Sequence, residues 1–375
     1  MDLMRPTFAQ IDLHAVNTNL KQIRKIVGKQ PLIMAMVKGN AYGHGMIPVA
    51  QSIFRSGSAQ YFGVAIVEEG IELRKAKIKL PILVLTSPHK EQLALFARYS
   101  LETTICDLST ACALNNAAGK LRKTVPVHIK IDTGMGRIGV SSTEAVRFVE
   151  KILTLPNLIV KGIWTHFASS DERDLRFAHE QLKNFRSIVT TLELKGIHIP
   201  LVHCANSGAI LQMPDSYFDM VRPGIMIYGY TPAADMKLNF RLLPALDFIS
   251  RVGFLKCVGK GTSISYGRRY YTRMPSTIAS ITVGYADGYF RTLTNKAFVL
   301  IRGKKYPVAG TVCMDQIMAD TGSNPVRVGD EVVLIGKRGK EVITAWDIAK
   351  AAGTIPYEVT TAISQRVPRV YIYGK

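Results

Sequence analysis

Residues 31–45 read PLIMAMVKGNAYGHG, an apolar run that ends on a single lysine, Lys38, and then breaks into glycine, asparagine, tyrosine and histidine. Consecutive apolar positions are typical of a strand that is buried on both faces, as in a parallel sheet. A lysine delivered into an apolar environment has a lowered pKa, and its free amine suits Schiff-base chemistry. An isolated strand-end lysine more often extends to solvent, so Lys38 alone does not establish such a site.

Seven similar runs follow, and segments with helical periodicity lie between them, such as MIPVAQSIFRSG, STEAVRFVEKILT and DLRFAHEQLKNFRSIVTTLELKG. Strand and helix alternating eight times, with strands apolar on both faces, predict an α/β fold with a (β/α)8 TIM-type barrel and an active site at the carboxyl ends of its strands. The eight runs are residues 32–38, 61–66, 81–86, 102–105, 125–132, 158–167, 199–207 and 219–229.

After about residue 243 the pattern changes to short strands with glycine and proline turns, as in IASITVGYAD, AFVLIRGKKYPVAGTV, DEVVLIG and RVYIY. A short helical segment, TAWDIAKAAG, interrupts them. This change predicts a barrel over residues 1–242 and a C-terminal mainly-β domain over residues 243–375.

Composition excludes several classes of protein. The 375 residues include 47% hydrophobic and 20% charged residues, as in an ordinary globular chain. The five cysteines are scattered, which argues against a disulfide framework and against a metal site. The net charge of +20 is spread along the chain and no nucleic-acid-binding motif accompanies it, so we expect no nucleic-acid partner. No signal segment and no apolar run of about 18 residues is present, so we expect a cytoplasmic protein without membrane attachment.

Polar residues cluster at the carboxyl ends of the predicted strands, where a barrel carries its active site. Two late loops, ANSGA (205–209) and RPGIMIYG (222–229), combine small residues with a predicted helix start and with backbone N–H groups at Gly224 and Ile225. Such loops suit a phosphate group, although glycines can also serve turns alone. The strand-end residues are Lys38, Lys130, His166, Asn206, Ser207 and Arg222.

Nine motifs, in order over nearly the whole chain, resemble those of bacterial alanine racemase, a family that uses pyridoxal 5'-phosphate (PLP). They are VKGNAYGHG (37–45), IKIDTGMGRIG (129–139), THFASSDE (165–172), CANSGA (204–209), VRPGIMIYG (221–229), SYGRRY (265–270), VGYADGY (283–289), GTVCMDQ (310–316) and YEVTTAIS (357–364). Family members more often have alanine where Gly39 stands, which is an exchange of one small residue for another.

The resemblance implies a PLP site in which Lys38 holds the cofactor as a Schiff base. It implies that Arg222 donates to the pyridine nitrogen and keeps it from full protonation, because a guanidinium does not give up its proton. His166 and Asn206 also belong to the implied cofactor site. The implied phosphate-binding residues are Tyr42, Ser207, Gly224, Ile225 and Tyr357.

Racemisation exchanges a proton on both faces of Cα, so it requires two acid/base groups. The resemblance implies that Lys38 serves D-alanine and that Tyr266, from the β domain of a partner subunit, serves L-alanine. Both active sites of a homodimer would therefore be shared. His166, linked to Arg222, would support the phenol, and His203 would support the same network.

The implied substrate-binding groups are Arg137 and the backbone N–H of Met314. Lys130 would be carbamylated and would orient Arg137, with a plain lysine beside Asp132 as the alternative. The partner's Cys313–Asp315 loop would complete the site. Tyr285 and Tyr357 resemble the narrow inner gate of the family.

The implied function is interconversion of L-alanine and D-alanine, with D-alanine supplied to peptidoglycan. Broad-specificity amino-acid racemases are the nearest alternative, although they typically lack a lysine at the position of Lys130. The PLP-dependent decarboxylases of basic amino acids share the two-domain plan but lack the tyrosine base. PLP carriers without catalytic activity usually lack a β domain.

Overall fold

A computed structural model describes residues 5–236 and 238–374 of the chain. The described residues form two units. The barrel unit contains residues 16–41 and 46–243, and the sheet unit contains residues 5–15, 42–45 and 244–374. The sequence-based division at residue 242 assigned residues 5–15 and 42–45 to the barrel, whereas the structure groups them with the sheet unit.

The barrel unit is built on eight parallel strands within the described residues. It is nearly closed, because Met220–Val221, the last of these eight strands in the sequence, pairs with Leu32–Met36, the first. All eight predicted runs form strands, so the predicted fold class is confirmed. Six of the strands are shorter than their runs, because the polar end of the run belongs to the loop that follows, whereas Glu102–Ile105 and Val125–Asp132 match their runs. In spatial order the strands are Met220–Val221, Leu32–Met36, Tyr61–Val64, Ile82–Val84, Glu102–Ile105, Val125–Asp132, Leu158–Trp164 and Leu201–His203.

Helices separate these strands, and each buries one apolar face. In Ala145–Leu153 the buried residues recur at the spacing of an amphipathic helix that packs on the barrel. The α-helices of this part of the chain are Leu13–Val27, Met46–Ser56, Val67–Lys75, Leu93–Tyr99, Leu108–Lys120, Ala145–Leu153, Arg176–Leu194 and Ser207–Gln212. A two-residue strand, Val140–Ser141, and the 3-10 helices Lys90–Gln92, Pro214–Ser216 and Ile225–Tyr228 complete it.

The sheet unit is mainly β, as predicted. Its central strand, Leu246–Val258, pairs antiparallel with Phe8–Asp12, which in turn pairs parallel with Arg369–Ile372. The remaining strands are Ser263–Ile264, Tyr270–Tyr271, Ser276–Ile281, Phe298–Ile301, Lys304–Pro307, Ile317–Asp320, Glu331–Arg338 and Glu341–Ile343. The helices are Ala345–Ala352 and Pro356–Thr361, with 3-10 turns Tyr266–Arg268, Tyr285–Asp287 and Arg291–Leu293.

Two features are absent from the described part of the chain. None of its helices is long and apolar enough to cross a membrane. Nor does it contain a group of three or more His, Cys, Asp or Glu side chains placed to hold a metal ion.

Candidate active site

Lys38 begins a tight left-handed turn two residues after the strand Leu32–Met36. Gly39, Asn40 and Ala41 all have φ between 53° and 60°, and Tyr42 and Gly43 continue at 53° and 85°. Left-handed helical backbone costs about 1–2 kcal/mol for each residue that has a Cβ atom, so other contacts must hold this turn. The turn lets the backbone double back immediately after the lysine.

Glu69 holds this turn in place. One carboxylate oxygen accepts the Gly39 N–H at 2.6 Å, and the other accepts the Ala65 N–H at 2.8 Å. Burial lowers the pKa of Lys38, and the charge of Arg137 adds to this effect while Glu69 opposes it. The sequence-based expectation of a lysine with a lowered pKa at the barrel mouth therefore agrees with the geometry.

Arg222 lies on the neighbouring strand end. The strand Met220–Val221 pairs in parallel with Leu32–Met36, so Arg222 and Lys38 both follow adjacent strands at their carboxyl ends. The guanidinium is buried and donates to the carbonyl oxygens of Thr165 and Cys204 at 2.8 and 3.0 Å. Burial lowers the pKa of Arg222 to about 10, which leaves it charged at neutral pH.

Two histidines accept hydrogen bonds from Arg222. Nη1 lies 2.8 Å from His203 Nδ1, and Nη2 lies 3.2 Å from His166 Nδ1. Burial, with the charge of Arg222, holds the pKa of each imidazole well below its usual range. Both rings are therefore neutral acceptors at physiological pH, and the positive charge of the cluster resides on Arg222.

Lys130 lies inside the same barrel end. Its Nζ donates to the Ile131 carbonyl at 2.8 Å and lies 5.0 Å from the centroid of the Trp164 ring. Burial, with the charge of Arg222, lowers the pKa of Lys130 to about 8. Arg137 is exposed, and its charge acts on the pKa of Lys38, Lys130 and His166, which places it at this mouth.

Ser207, Gly224 and Ile225 form a small cradle of polar groups. The Gly224 N–H donates to Ser207 Oγ at 2.9 Å, and Ile225 starts the 3-10 helix whose first N–H groups have no partner within the helix. Asn206 caps the helix Ser207–Gln212 by accepting the Ala209 N–H at 3.0 Å. The predicted helix start at Ser207 is thus confirmed.

In the sheet unit, four predicted residues lie on loops that hydrogen bonds join together. The N–H groups of Tyr285 and Ala286 donate to the carbonyls of Cys313 and Met314, both at 3.0 Å. Ser265 Oγ donates to the Thr311 carbonyl at 2.7 Å and so ties the loop of Tyr266 to the same segment. Tyr266 is 73% exposed, Met314 52% and Tyr285 41%.

Tyr42 and Tyr357 also meet within the sheet unit, with ring centroids 5.8 Å apart. Gly43 allows this packing, because a Cβ atom at its position would lie 2.0 Å from the Thr360 carbonyl oxygen. The two tyrosines that sequence reasoning grouped as phosphate ligands are therefore neighbours.

The structure collects the predicted residues into two groups, one in each unit. Sequence reasoning missed His128, which contacts His203, and Glu102, which contacts His128. It also missed Glu69, which accepts the N–H of Gly39 next to Lys38. The barrel group is Lys38, Lys130, Arg137, His166, His203, Asn206, Ser207, Arg222, Gly224 and Ile225, and the sheet group is Tyr42, Tyr266, Tyr285, Cys313, Met314, Asp315 and Tyr357.

A buried ion pair supports the loop of Tyr285. Asp287 is fully buried, accepts the Gly284 N–H at 3.0 Å and receives both Nη groups of Arg5, at 2.5 and 2.7 Å. Arg366 lies 3.6 Å from the same carboxylate and donates to Asp315 at 2.7 Å. These contacts join the GYADGY and GTVCMDQ motifs.

We expect Arg5→Ala to lower the free energy of unfolding by about 1–3 kcal/mol, because it removes two charge-assisted hydrogen bonds from a buried carboxylate. Urea unfolding should show a lower midpoint with an unchanged slope. Arg173→Ala is the matched control, since it breaks an exposed pair with Asp235 and should leave the midpoint unchanged. An equal shift in both variants would contradict the structural role of Arg5.

Comparison with known proteins follows the same two-part division. A model described as the alanine racemase N-terminal domain matches residues 11–232, and one described as the alanine racemase C-terminal domain matches residues 245–371. The chain belongs to the alanine racemase family.

Alanine racemase relatives cover almost the whole chain. A protein named alanine racemase from Halothermothrix orenii is 49% identical over 98% of this chain and 97% of its own length. Another, from Carboxydothermus hydrogenoformans, is 44% identical over 98% of this chain and 100% of its own. The solved alanine racemase of Clostridium difficile is 38% identical and superposes with a TM-score of 0.95 over 99% of this chain and 97% of that one. Sequence and fold therefore agree over both units.

Proposed function

We propose that this protein is an alanine racemase that interconverts L-alanine and D-alanine with PLP as its cofactor. One observation carries the proposal: the amine of Lys38 and the buried guanidinium of Arg222 follow two adjacent barrel strands at their carboxyl ends. The relatives named alanine racemase support the choice of alanine as substrate. A solved Clostridium difficile relative is described in complex with cycloserine.

The described residues fit this cofactor. PLP requires an amine for its aldehyde, donors for its phosphate and a partner for its ring nitrogen. Lys38 has a lowered pKa and so provides a reactive amine. The Ser207 hydroxyl and the first N–H groups of Ile225–Tyr228 form an anion cradle. We propose that Tyr42 and Tyr357 add hydroxyl donors to the phosphate, and that His166 and Asn206 border the cofactor.

When bound, PLP withdraws electrons from the amino acid and so acidifies its Cα–H bond. Arg222 would donate a hydrogen bond to the ring nitrogen without transferring its proton, because its pKa is about 10 even when buried. A donor that keeps its proton at this position would moderate the electron withdrawal that the cofactor supplies. This restraint favours return of the proton to Cα.

Two bases on opposite faces of Cα would move the proton. We propose that Lys38 acts on D-alanine and that Tyr266 of a second subunit acts on L-alanine. The exposure of Tyr266, Met314 and Tyr285 on connected loops supports a homodimer, because a second copy of the chain would cover these side chains. Arg222, which donates to the neutral ring of His166, would supply the positive charge that favours a phenolate.

Arg137 and the backbone N–H of Met314 are the proposed ligands of the substrate carboxylate, because both a guanidinium and an amide N–H donate to carboxylates. We propose that Tyr285 and Tyr357 restrict the pocket to small side chains. The Cys313–Asp315 loop would hold Met314, since its carbonyls bind the N–H groups of Tyr285 and Ala286.

Lys130 is expected to be carbamylated at alkaline pH. Its pKa of about 8 means that the neutral amine, which reacts with carbon dioxide, becomes the main form as pH rises through this value. With 13C-bicarbonate, native-state 13C NMR should show a larger carbamate signal at pH 8.5 than at pH 6.5, because these two pH values lie on either side of the pKa of Lys130. Lys130→Ala should lack the signal and lose activity, with partial rescue by a short carboxylate. A signal that persists in Lys130→Ala would assign the modification elsewhere.

The function is tested by incubating purified protein with L-alanine and measuring D-alanine with D-amino-acid oxidase. Borohydride should fix the cofactor on Lys38, as peptide mapping would show. Efficient racemisation of lysine or arginine would instead favour the broad-specificity alternative. Serine is a weaker test, because one added hydroxyl in a small pocket is poorly rejected.

We further propose that the enzyme acts in the cytoplasm and that the D-alanine it forms is a precursor of peptidoglycan. All five cysteines lie within the described residues and are free thiols, as expected in a reducing compartment. A strain that lacks its own racemase and requires D-alanine should grow without supplement when it carries this gene.

A further inference from the structure

A chain of hydrogen-bonded side chains leads from Arg222 through the barrel interior to a buried glutamate. Arg222 Nη1 lies 2.8 Å from His203 Nδ1, and His203 Nε2 lies 2.9 Å from His128 Nδ1. His128 Nε2 then lies 2.9 Å from Glu102 Oε2. Both imidazoles are fully buried and Glu102 is 4% exposed, so these bonds are shielded from water.

Arg222 and Glu102, at the two ends of this hydrogen-bonded row, determine which nitrogen of each histidine carries the proton. Arg222 is a donor without acceptor capacity, so His203 Nδ1 must accept. The pKa of His203 is held well below its usual range by burial and by Arg222, so the ring carries one proton, on Nε2, and donates it to His128 Nδ1. The proton of His128 is therefore on Nε2 and faces Glu102.

Glu102 is the acceptor that completes this arrangement. Burial opposes its ionisation, but the hydrogen bond from His128 and the charge of Lys161 outweigh burial and lower the pKa of Glu102. An ionised carboxylate can only accept hydrogen bonds. If His128 carried its proton on Nδ1 instead, the proton of His203 would move to its Nδ1 and would face the N–H groups of Arg222. Glu102 excludes that donor-to-donor contact.

The surrounding packing is shaped to hold both rings. A Cβ atom at Gly162 would lie 2.2 Å from His128 Nδ1, so the absence of a side chain there leaves room for the imidazole. The strand pairing also shifts register between Val127 and His128. The His203 ring stacks on Trp164 with an interplanar angle of 4° and a centroid distance of 5.8 Å. Arg222 lies over the same indole, 4.9 Å from its centroid.

The far end of the chain reaches the partly exposed edge of the barrel. Lys161 Nζ lies 3.1 Å from Glu102 Oε1, and its side chain is 35% exposed. The carboxylate thus receives His128 on one oxygen and Lys161 on the other. Two neutral imidazole rings separate Glu102 from Arg222. The negative charge of Glu102 therefore balances the positive charge of Arg222 although the two side chains make no direct contact.

We propose that Glu102 and His128 are positioning residues for Arg222: they fix the tautomer of His203 and thereby the orientation in which the guanidinium is presented at the barrel mouth. The inference rests on the proposed role of Arg222 toward the ring nitrogen of the cofactor. Neither residue touches the substrate, so both act through His203.

Imidazole 15N NMR of the purified holoprotein, labelled with 15N-histidine, reads the tautomers directly. We expect His128 and His203 each to show a protonated Nε2 and an unprotonated Nδ1, with signals assigned from single His→Gln variants. These signals do not depend on turnover. Absence of racemase activity in the wild type would therefore refute the proposed function while leaving this test interpretable.

Glu102→Leu removes the acceptor while keeping an apolar side chain of similar size. We expect loss of the ordered His128 Nε2–H signal, a changed His203 signal, and a fall in kcat of about tenfold with KM little changed, because a misplaced donor affects the reaction more than binding. An unchanged pair of signals with wild-type kcat would overturn the proposal.

Two further variants keep the test decisive if Glu102→Leu fails to fold. Glu102→Gln keeps an acceptor but loses the charge, so the His128 Nε2–H signal should move toward that of a weaker hydrogen bond and kcat should fall less. No movement of the signal would overturn the proposal. Lys161→Met is the matched control, since it removes the other partner of Glu102 and should leave both tautomers in place. Equal loss of order in that variant would refute a specific role for the His128 contact.

Discussion

Lys38→Ala is expected to lower racemisation in both directions by at least about a thousandfold. The variant loses the amine that would bind the cofactor covalently and also loses one of the two proposed bases, and a single acid/base group alone contributes about 10²–10⁴ in rate. The lowered pKa of Lys38 makes this amine better suited to both roles than an exposed lysine. Rates should be measured from L-alanine and from D-alanine with enzymes specific for each product.

Two comparisons make the Lys38 result specific. Lys195→Ala removes an exposed lysine that pairs with Glu150 at the surface, and it should keep wild-type rates. Added methylamine should restore part of the activity of Lys38→Ala by supplying the missing amine. Rates like those of the wild type in Lys38→Ala, without any added amine, would remove Lys38 from the mechanism.

The barrel could be predicted because its information is local. A run such as LIMAM is apolar at every position, and the structure buries four of its five residues. Eight such runs separated by helical periodicity leave few alternatives to a parallel barrel. The helix Arg176–Leu194 was predicted from its own period for the same reason.

The sheet unit contains pairings that no local pattern indicates. Phe8–Asp12 joins Leu246–Val258 and Arg369–Ile372, strands that are separated from it by most of the chain. Neither Phe8–Asp12 nor Leu246–Val258 was predicted as a strand. Partners so distant in sequence are selected by burial in the folded state, so the sequence pattern around residue 8 does not reveal them.

Arg222 was predicted because it follows a strand, whereas the missed residues His128 and Glu102 lie inside strands. Arg222 comes directly after Val221 and interrupts an apolar run, which marks it as a candidate for the active site at the strand ends. His128 lies within VPVHIKID, and Glu102 starts ETTI, where a single polar residue usually faces solvent at a strand edge. Their partnership depends on which strands are neighbours in the closed barrel. A buried histidine opposite a glycine, as His128 is opposite Gly162, is a signal that appears once strand pairing is known.

Mixing two inactive variants, Lys38→Ala and Tyr266→Phe, is expected to restore activity to about a quarter of the wild-type level. In a mixed dimer one proposed site collects both defects, and the other draws Lys38 from the tyrosine variant and Tyr266 from the lysine variant. Random assortment makes about half the dimers mixed, and each has one intact site of two. The exposure of Tyr266 is the structural reason to expect a shared site, since a second copy of the chain would cover this apolar ring.

The mixing experiment depends on proof that subunits have exchanged. Co-expressing the two variants with different affinity tags and purifying through both tags in turn yields dimers of known composition, in which half the wild-type activity is expected because one of the two sites is intact. The same procedure with Lys38→Ala in both tagged chains gives the background. If doubly tagged mixed dimers are no more active than this background, Lys38 and Tyr266 act within one chain or not together, because a shared site would necessarily regenerate one complete pair of bases.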